Sequence, residues 1–143
     1  MRSPHKPSTQ HPPFAPLICY EAIFPGAIID KSQRPDWILN VSNDAWYGRS
    51  SGPYQHFAMA RTRAVEEGLP LVRVANNGIS GVVDAEGRVL ARTSLDAIGY
   101  ADVALPAAGS ATPYFYFGDW VFLVMLLLGA AVASAPLLPR PTR

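Results

Sequence analysis

The chain has 143 residues, with 12 basic and 11 acidic side chains and a formal net charge of +1. This balance gives no electrostatic case for a nucleic-acid partner, which needs a clustered basic surface. The single cysteine excludes an internal disulfide and a zinc site built on several cysteines. Charge is unevenly distributed, because Asp119 is the only charged residue between Val103 and Pro139. The sequence therefore predicts one mixed α/β body followed by an apolar tail.

The body is predicted to consist of strands with one well-defined helix. Residues 1–13 contain four prolines and no apolar periodicity, which predicts a disordered start. Pro25 indicates a short helix over residues 25–31, and Pro53 and Gly68 delimit a longer one. Strands alternating with helices, then a hairpin, predict an α/β sheet layered with helices. Apolar runs predict the strands at residues 14–19, 37–41, 71–75, 79–84 and 88–93, with a weaker candidate at 100–105.

Residues 120–138 form an uncharged run of 19 residues, WVFLVMLLLGAAVASAPLL. A helix of that length spans roughly 28 Å, close to the hydrocarbon core of a bilayer, so a transmembrane helix is predicted. A buried core helix is the alternative, although a small body could hardly cover a helix that is apolar on all faces. Residues 106–119 contain several aromatic side chains and form a predicted interfacial linker. Arg140 and Arg143 then favour a cytoplasmic tail at 139–143, with the body on the other side of the membrane.

Cys19 is the first candidate for chemistry, because it ends a predicted apolar strand just before a predicted helix. A side chain at such a strand-to-helix turn is exposed at the carboxyl end of a sheet, where a thiolate nucleophile is stabilised. The alternative is a small buried hydrophobic residue, the usual role of a lone cysteine. Glu21 follows two residues later, and it either orients a catalytic partner or caps the helix that comes next.

A polar and aromatic loop follows the second predicted strand, with the sequence NVSNDAWYG at residues 40–48. Its Asn43 and Trp46 are candidates for substrate contacts, although such residues also make ordinary turns. His56, near the start of the long helix, is either a base or a structural hydrogen-bonding residue. The three histidines of the chain show no metal-ligand spacing, so neither a metal nor another cofactor is predicted.

Four motifs run in order along the chain: CYE at 19–21, SNDAWYG at 42–48, GPYQHFAMARTRAVE at 52–66 and NNGISG at 76–81. With an apolar tail after them, they resemble the C-terminal part of the bacterial apolipoprotein N-acyltransferases, a membrane-embedded branch of the nitrilase (carbon–nitrogen hydrolase) superfamily. The resemblance covers about residues 14–138. It implies an αββα sandwich, of which residues 14–105 would be the C-terminal part, followed by one transmembrane helix.

The resemblance also implies an activity. Members of this family move an acyl chain from a phospholipid onto a cysteine as a thioester, and then to the N-terminal amine of an S-diacylglyceryl-Cys apolipoprotein. Cys19 matches the nucleophile, and Glu21 is expected to be a second catalytic residue. The expected partners are a phospholipid, an apolipoprotein and the bilayer, with the body on the periplasmic side of the bacterial inner membrane. The expected substrate contacts are Tyr20, Asn43, Trp46 and His56.

The sequence also departs from the superfamily pattern, in which a Glu and a Lys upstream of the cysteine complete a triad. The 18 residues before Cys19 contain no Glu, and their only Lys, Lys6, lies too near the cysteine to match. We therefore expect the chain to be a C-terminal fragment of the enzyme that is inactive by itself. Two alternatives remain open: a nitrilase-type amidase that uses the same cysteine, and an inactive membrane-bound remnant.

Overall fold

The computed structural model describes residues 11–134, which form a five-stranded sheet with flanking helices. The part of the predicted disordered start at residues 1–10 lies outside the described residues. The strands are β1 (Phe14–Ile18), β2 (Trp37–Asn43), β3 (Leu71–Asn76), β4 (Gly81–Val83) and β5 (Val89–Arg92). The α-helices are α1 (Gly52–Glu67), α2 (Pro113–Phe117) and α3 (Trp120–Ser134), and short 3-10 helices span Cys19–Ile23 and Ala45–Tyr47.

The strands lie in chain order across the sheet. β1, β2 and β3 are parallel, and β3, β4 and β5 continue as antiparallel neighbours. α1 is the crossover between β2 and β3 that a parallel connection requires. In the register, Asn40 of β2 pairs with Leu17 of β1 on one side and with Arg73 of β3 on the other. The carboxyl ends of the parallel strands therefore meet at one edge, where ligand sites of open α/β sheets form.

α1 packs against one face of the sheet and forms the hydrophobic core with it. Pro53 lies in the first turn of this helix, and Gly68 ends it in a left-handed C-cap with φ of +64°, as the sequence predicts. Burial of the core stabilises the fold by about 25 cal/mol per Å² of apolar surface removed from water. The core comprises Leu17, Ala22, Ile28, Ile38, Phe57, Ala60, Ala64, Leu69, Leu71, Ile79 and Val83.

The other face of the sheet is apolar and largely exposed. Phe14 lies against Trp37 with their ring centroids 4.9 Å apart. Farther along the same face, the side chains of Ile18, Val41 and Val74 are exposed. The described residues thus form a mixed α/β sheet that is consistent with a nitrilase-like fold, with α1 on one face. The second sheet of the predicted sandwich is not among residues 11–134.

Two predicted elements are wrong. Residues 25–31 form turns rather than a helix, because the helical turn begins earlier, at Cys19, and Gly26 adopts a left-handed φ of +72°. Residues 100–105 form no strand. There the chain has left the sheet, since β5 ends at Arg92 and the Tyr100 side chain projects into solvent.

The last described helix, α3, covers 15 residues of the predicted transmembrane segment, and none of its side chains is buried. Within residues 11–134, no helix is both long enough and apolar enough to cross a membrane. The predicted span at 120–138 continues beyond the described residues, and the predicted cytoplasmic tail at 139–143 lies wholly outside them. The transmembrane helix therefore stays a prediction.

Arg34 attaches the segment before α2 to the C-terminal end of α1. Its Nη2 donates to the carbonyl oxygens of Glu67, Gly68 and Gly109 at 2.8, 3.1 and 3.1 Å. Lys31 Nζ adds a hydrogen bond of 2.6 Å to a carbonyl oxygen of α2. These bonds satisfy carbonyl groups that a helix end leaves without partners. The predicted interfacial linker is therefore helical in part and docked on the body.

Candidate active site

Cys19 follows β1 directly, and its side chain is partly exposed. Its φ of +50° lies in the left-handed region, which a non-glycine residue seldom adopts. Such a conformation costs on the order of 1–3 kcal/mol and persists only where the surroundings hold it. Ser42 Oγ lies 3.6 Å from the Sγ atom, and the carbonyl oxygen of Asn43 lies 3.9 Å from Sγ. The thiol therefore lies where β1 and β2 both end.

Two buried side chains hold the carbonyl oxygen of Cys19. Asn40 Nδ2 donates to it at 3.3 Å, and His56 Nε2 lies 3.2 Å from it. Asn40 Nδ2 also donates to the carbonyl oxygen of Leu17 at 3.1 Å, so one side-chain amide links the end of β1 to Cys19. Asn40 is 0% and His56 2% exposed. The backbone of Cys19 is thus anchored from the core of the protein.

A buried ion pair lies beneath these contacts. Arg73 Nη2 donates to Asp44 Oδ2 at 2.8 Å, and Arg73 also donates to the side-chain oxygen of Asn40. The other carboxylate oxygen of Asp44 accepts a hydrogen bond of 2.7 Å from Ser42 Oγ and lies 2.9 Å from His56 Nδ1. We call these residues, Asn40, Ser42, Asp44, His56 and Arg73, the buried network.

The charge of Asp44 in the buried network balances that of Arg73. Burial raises the pKa of this carboxyl, but the hydrogen bond from Ser42, the charge and hydrogen bond of Arg73, and the contact with His56 together lower it below its ordinary value. Asp44 is therefore a carboxylate at neutral pH, and it compensates the buried guanidinium. An unpaired charge at this depth would be strongly destabilising, so the pair acts as a unit.

Three aromatic side chains lie on the segments next to Cys19, namely Tyr20 directly after it and Trp46 and Tyr47 in the loop after β2. Trp46 is 70% exposed and stacks on Tyr47 with ring centroids 4.7 Å apart. Tyr47 and Tyr20 both contact the ring of His56, at centroid distances of 5.9 and 5.8 Å. We call Tyr20, Trp46 and Tyr47 the aromatic rim. Exposed apolar surface beside a partly exposed cysteine suits an apolar ligand better than a small polar one.

The family profile of the carbon–nitrogen hydrolases matches residues 5–113, the part of the chain that holds the whole sheet and the buried network. The chain belongs to the carbon–nitrogen hydrolase family. This membership confirms the superfamily that the four sequence motifs predict.

Several curated proteins are similar to this carbon–nitrogen hydrolase chain, and they are named apolipoprotein N-acyltransferase. The proteins from Bradyrhizobium diazoefficiens and Rhodopseudomonas palustris are 51% and 52% identical to it over 122 residues, and that from Rickettsia bellii is 52% identical over 112 residues. The aligned parts cover 85%, 82% and 78% of this chain, but only 23%, 23% and 22% of those relatives. The chain thus spans about a quarter of the length of the curated relatives that it matches.

The carbon–nitrogen hydrolase chain brings the predicted site residues to one edge of its sheet. Cys19, Tyr20 and Glu21 share the first 3-10 helix, and Asn43 and Trp46 lie at the end of β2 and in the loop after it. His56 lies beneath them, where its placement matches the structural hydrogen-bonding alternative.

Glu21 and Asn43 both cap short helices. The backbone N–H of Ile18 donates to Glu21 Oε2 at 2.6 Å, which closes the turn that carries Cys19 and matches the capping alternative. The backbone N–H of Ala45 donates to Asn43 Oδ1 at 3.1 Å and begins the second 3-10 helix. Whether either residue also contacts a substrate stays a prediction.

Four members of the buried network have no role that was predicted from the sequence: Asn40, Ser42, Asp44 and Arg73. Arg73 offered the clearest signal, because it interrupts the apolar strand LVRVA of β3. A charged residue flanked by apolar ones in a buried strand requires a buried partner of opposite charge. The identity of that partner follows only from the register of β2 against β3.

Gly78 lies against the carboxyl group of Asp44, and a Cβ at this position would overlap Oδ2. Because the buried network holds that carboxylate in place, we expect Gly78→Ala to lower the free energy of unfolding by about 1–3 kcal/mol. Gly99→Ala is the matched control, since a Cβ there meets nothing within 4 Å. Urea unfolding followed by circular dichroism measures both variants. Equal urea midpoints of unfolding for Gly78→Ala and Gly99→Ala would show that the Asp44 carboxylate is not held rigidly in place.

Proposed function

We propose that this chain forms the cysteine half of the active site of an apolipoprotein N-acyltransferase. The observation that carries the proposal is the anchored, partly exposed Cys19 in a left-handed conformation at the carboxyl edge of the sheet. The names of relatives about 50% identical to most of the chain support it. The aromatic rim adds the apolar surface that an acyl chain needs.

In the proposed first step, the thiolate of Cys19 attacks the ester carbonyl carbon of a phospholipid. A C–S bond forms, the C–O bond to the glycerol breaks, and the lysophospholipid leaves as an alcohol with the proton that the thiol gave up. The acyl chain is then held as a thioester, which is activated towards amines. Two acyl transfers thus replace one difficult direct transfer.

In the second step, the α-amine of an S-diacylglyceryl-Cys apolipoprotein attacks the thioester. A C–N bond forms, the C–S bond breaks, and the proton of the amine is returned to the thiolate of Cys19. Both steps pass through a tetrahedral oxyanion. Backbone N–H groups at the turn that carries Cys19 are suited to stabilise it.

The general base of this chemistry is proposed to come from outside residues 11–134. The carboxylates of Glu21 and Asp44 lie in the site, but each already accepts hydrogen bonds that fix its place. The family resemblance implies a Glu as base and a Lys beside the oxyanion, on segments upstream of the cysteine. Each such group typically contributes about 10²-fold or more, so we expect the 143-residue chain alone to be inactive.

The site is proposed to work at the surface of the bacterial inner membrane. Tyr20 and Trp46 of the aromatic rim are exposed, and every described side chain of α3 is accessible. With the predicted transmembrane span at 120–138, this arrangement would hold the body on the periplasmic side and the C-terminus in the cytoplasm. Phospholipid and lipoprotein would then reach Cys19 from the bilayer.

The test uses the protein expressed from the full reading frame that encodes these residues. It is offered, in separate reactions, a phospholipid with a labelled acyl chain plus a diacylglyceryl-Cys peptide, and a set of small amides. We expect labelled N-acyl peptide and no ammonia from the amides. Ammonia release without acyl transfer would replace the proposal with an amidase, and neither product would favour the inactive remnant.

A further inference from the structure

We propose that His56 and Asp44 are positioning residues that hold Cys19 in its reactive backbone conformation. Neither one donates to the thiol: His56 acts through the carbonyl oxygen of Cys19, and Asp44 acts through His56. The inference rests on the proposed role of Cys19 as the nucleophile. It explains why the His56 and Asp44 side chains are buried next to Cys19, since only 2% and 1% of their surfaces are exposed.

The hydrogen-bond pattern fixes which nitrogen of His56 carries a proton. The carbonyl oxygen of Cys19 can only accept, so Nε2, 3.2 Å away, is the donor. Nδ1 lies 2.9 Å from Asp44 Oδ1, an acceptor, and 3.1 Å from Arg73 Nη2, a donor. Nδ1 therefore has a hydrogen-bond partner in either role, and the bond from Nε2 to the carbonyl oxygen of Cys19 requires only the proton on Nε2.

Anchoring the carbonyl group fixes the whole peptide unit between Cys19 and Tyr20. This unit is planar and trans, so the N–H of Tyr20 points opposite to the carbonyl oxygen of Cys19. Because that oxygen faces the buried network, the N–H points away from it. The same anchor holds the Cα–Cβ bond of Cys19. Rotation about that bond is limited by the contacts of Sγ with Ser42 Oγ at 3.6 Å and with the carbonyl oxygen of Asn43 at 3.9 Å, so Sγ keeps its position relative to the N–H.

The contacts of the buried network converge on one residue. Asn40 and His56 bind the carbonyl oxygen of Cys19, and Ser42 Oγ contacts its Sγ at 3.6 Å. A buried ion pair is by itself weak support for stability, because apolar side chains of similar volume often stabilise as well or better. Convergence on the left-handed Cys19 is therefore better explained by positioning than by stability.

The test compares three substitutions in the protein from the full reading frame. In His56→Gln, the side-chain amide can still donate to the carbonyl oxygen of Cys19, since its nitrogen takes the place of Nε2. In His56→Asn, the shorter amide reaches only the position of Nδ1, and His56→Leu removes both contacts. Phe57→Leu is the matched control, because Phe57 is next to His56 in α1 and belongs to the hydrophobic core, of which Cys19 is not a member.

Each protein is treated with two reagents, and the rates at which Cys19 is acylated and alkylated are measured by mass spectrometry of the peptide that contains it. Acylation by a p-nitrophenyl ester depends on the position of Sγ relative to the oxyanion donors, whereas alkylation by iodoacetamide needs only an accessible thiol. The ratio of the two rates therefore reports positioning, and a purely structural role would not change it. Neither rate depends on phospholipid transfer, so failure of the proposed function is distinguishable from failure of this inference.

We expect the ratio to fall about 10-fold or more in the Asn and Leu variants, and to stay within about threefold of the parent in the Gln variant and the control. Should the Leu variant fail to fold, the comparison of Gln with Asn decides alone. Equal ratios for Gln and Asn, whether lowered or unchanged, would overturn the inference.

Discussion

Replacing Cys19 by alanine in the protein from the full reading frame should lower acyl transfer by at least about 10³-fold, because removal of a catalytic nucleophile leaves only binding and oxyanion stabilisation. The effect should appear in the rate of transfer rather than in protein yield, since the Cys19 side chain is partly exposed and lies outside the hydrophobic core. The measurement is the formation of labelled N-acyl peptide from labelled phospholipid.

Thr62→Ala is a suitable control for this substitution. Thr62 lies on the exposed side of α1, and its hydroxyl donates only to the carbonyl oxygen of Ala58 one turn earlier. We expect its activity to match that of the parent. Acyl transfer by the Cys19→Ala variant within about 10-fold of the parent would show that another group is the nucleophile.

Replacing Arg73 by methionine should destabilise the fold by about 3–5 kcal/mol, because it leaves the carboxylate of Asp44 buried without its cation. Arg73 and Asp44 are both about 1% exposed, and their ion pair measures 2.8 Å. The double substitution Asp44→Asn with Arg73→Met removes both charges and should recover a large part of the loss. Urea unfolding followed by circular dichroism measures the three proteins.

The pH dependence of stability should separate the same variants. In the parent, the pKa of Asp44 is lowered on folding. The contribution of Asp44 to the stability of the fold is therefore present above the pKa of the carboxyl in the unfolded state, about 3.9. It is lost as the pH falls through the lower pKa of the folded state. In Arg73→Met, fewer partners oppose the effect of burial, and the pKa of Asp44 in the folded state should rise. The Arg73→Met variant should therefore gain stability relative to the parent as the pH falls from 7 towards 5. Identical pH profiles would contradict the ion-pair account.

Much of the fold follows from local sequence signals. Apolar runs mark β1, β2 and β3 because these strands lie side by side in a parallel sheet. Pro53 and Gly68 mark α1 because both act through their own backbone conformation. A loop after β2 also follows from the sequence: Asn43 ends the strand and Trp46 lies in the loop, while their contacts with a substrate stay a prediction.

The buried network could not be predicted in the same way, because its contacts join residues far apart in the chain. Arg73 and Asp44 are 29 positions apart, and His56 and Cys19 are 37 positions apart. These pairs exist only once the strand register and the crossover of α1 are set. The helical turn that begins at Cys19 is not predicted, for a different reason, since its hydrogen bond from the N–H of Ile18 to Glu21 is local but the apolar run at residues 14–19 favours a strand.

The measurement that tests the central claim most directly is the mass of the Cys19 peptide. The protein from the full reading frame is incubated with phospholipid in the absence of an acceptor peptide, digested and analysed with and without hydroxylamine, which cleaves thioesters. The account predicts an added fatty acyl mass on Cys19 that hydroxylamine removes and that an added acceptor peptide discharges. An unmodified Cys19 in a preparation that still transfers acyl chains to the acceptor would contradict it.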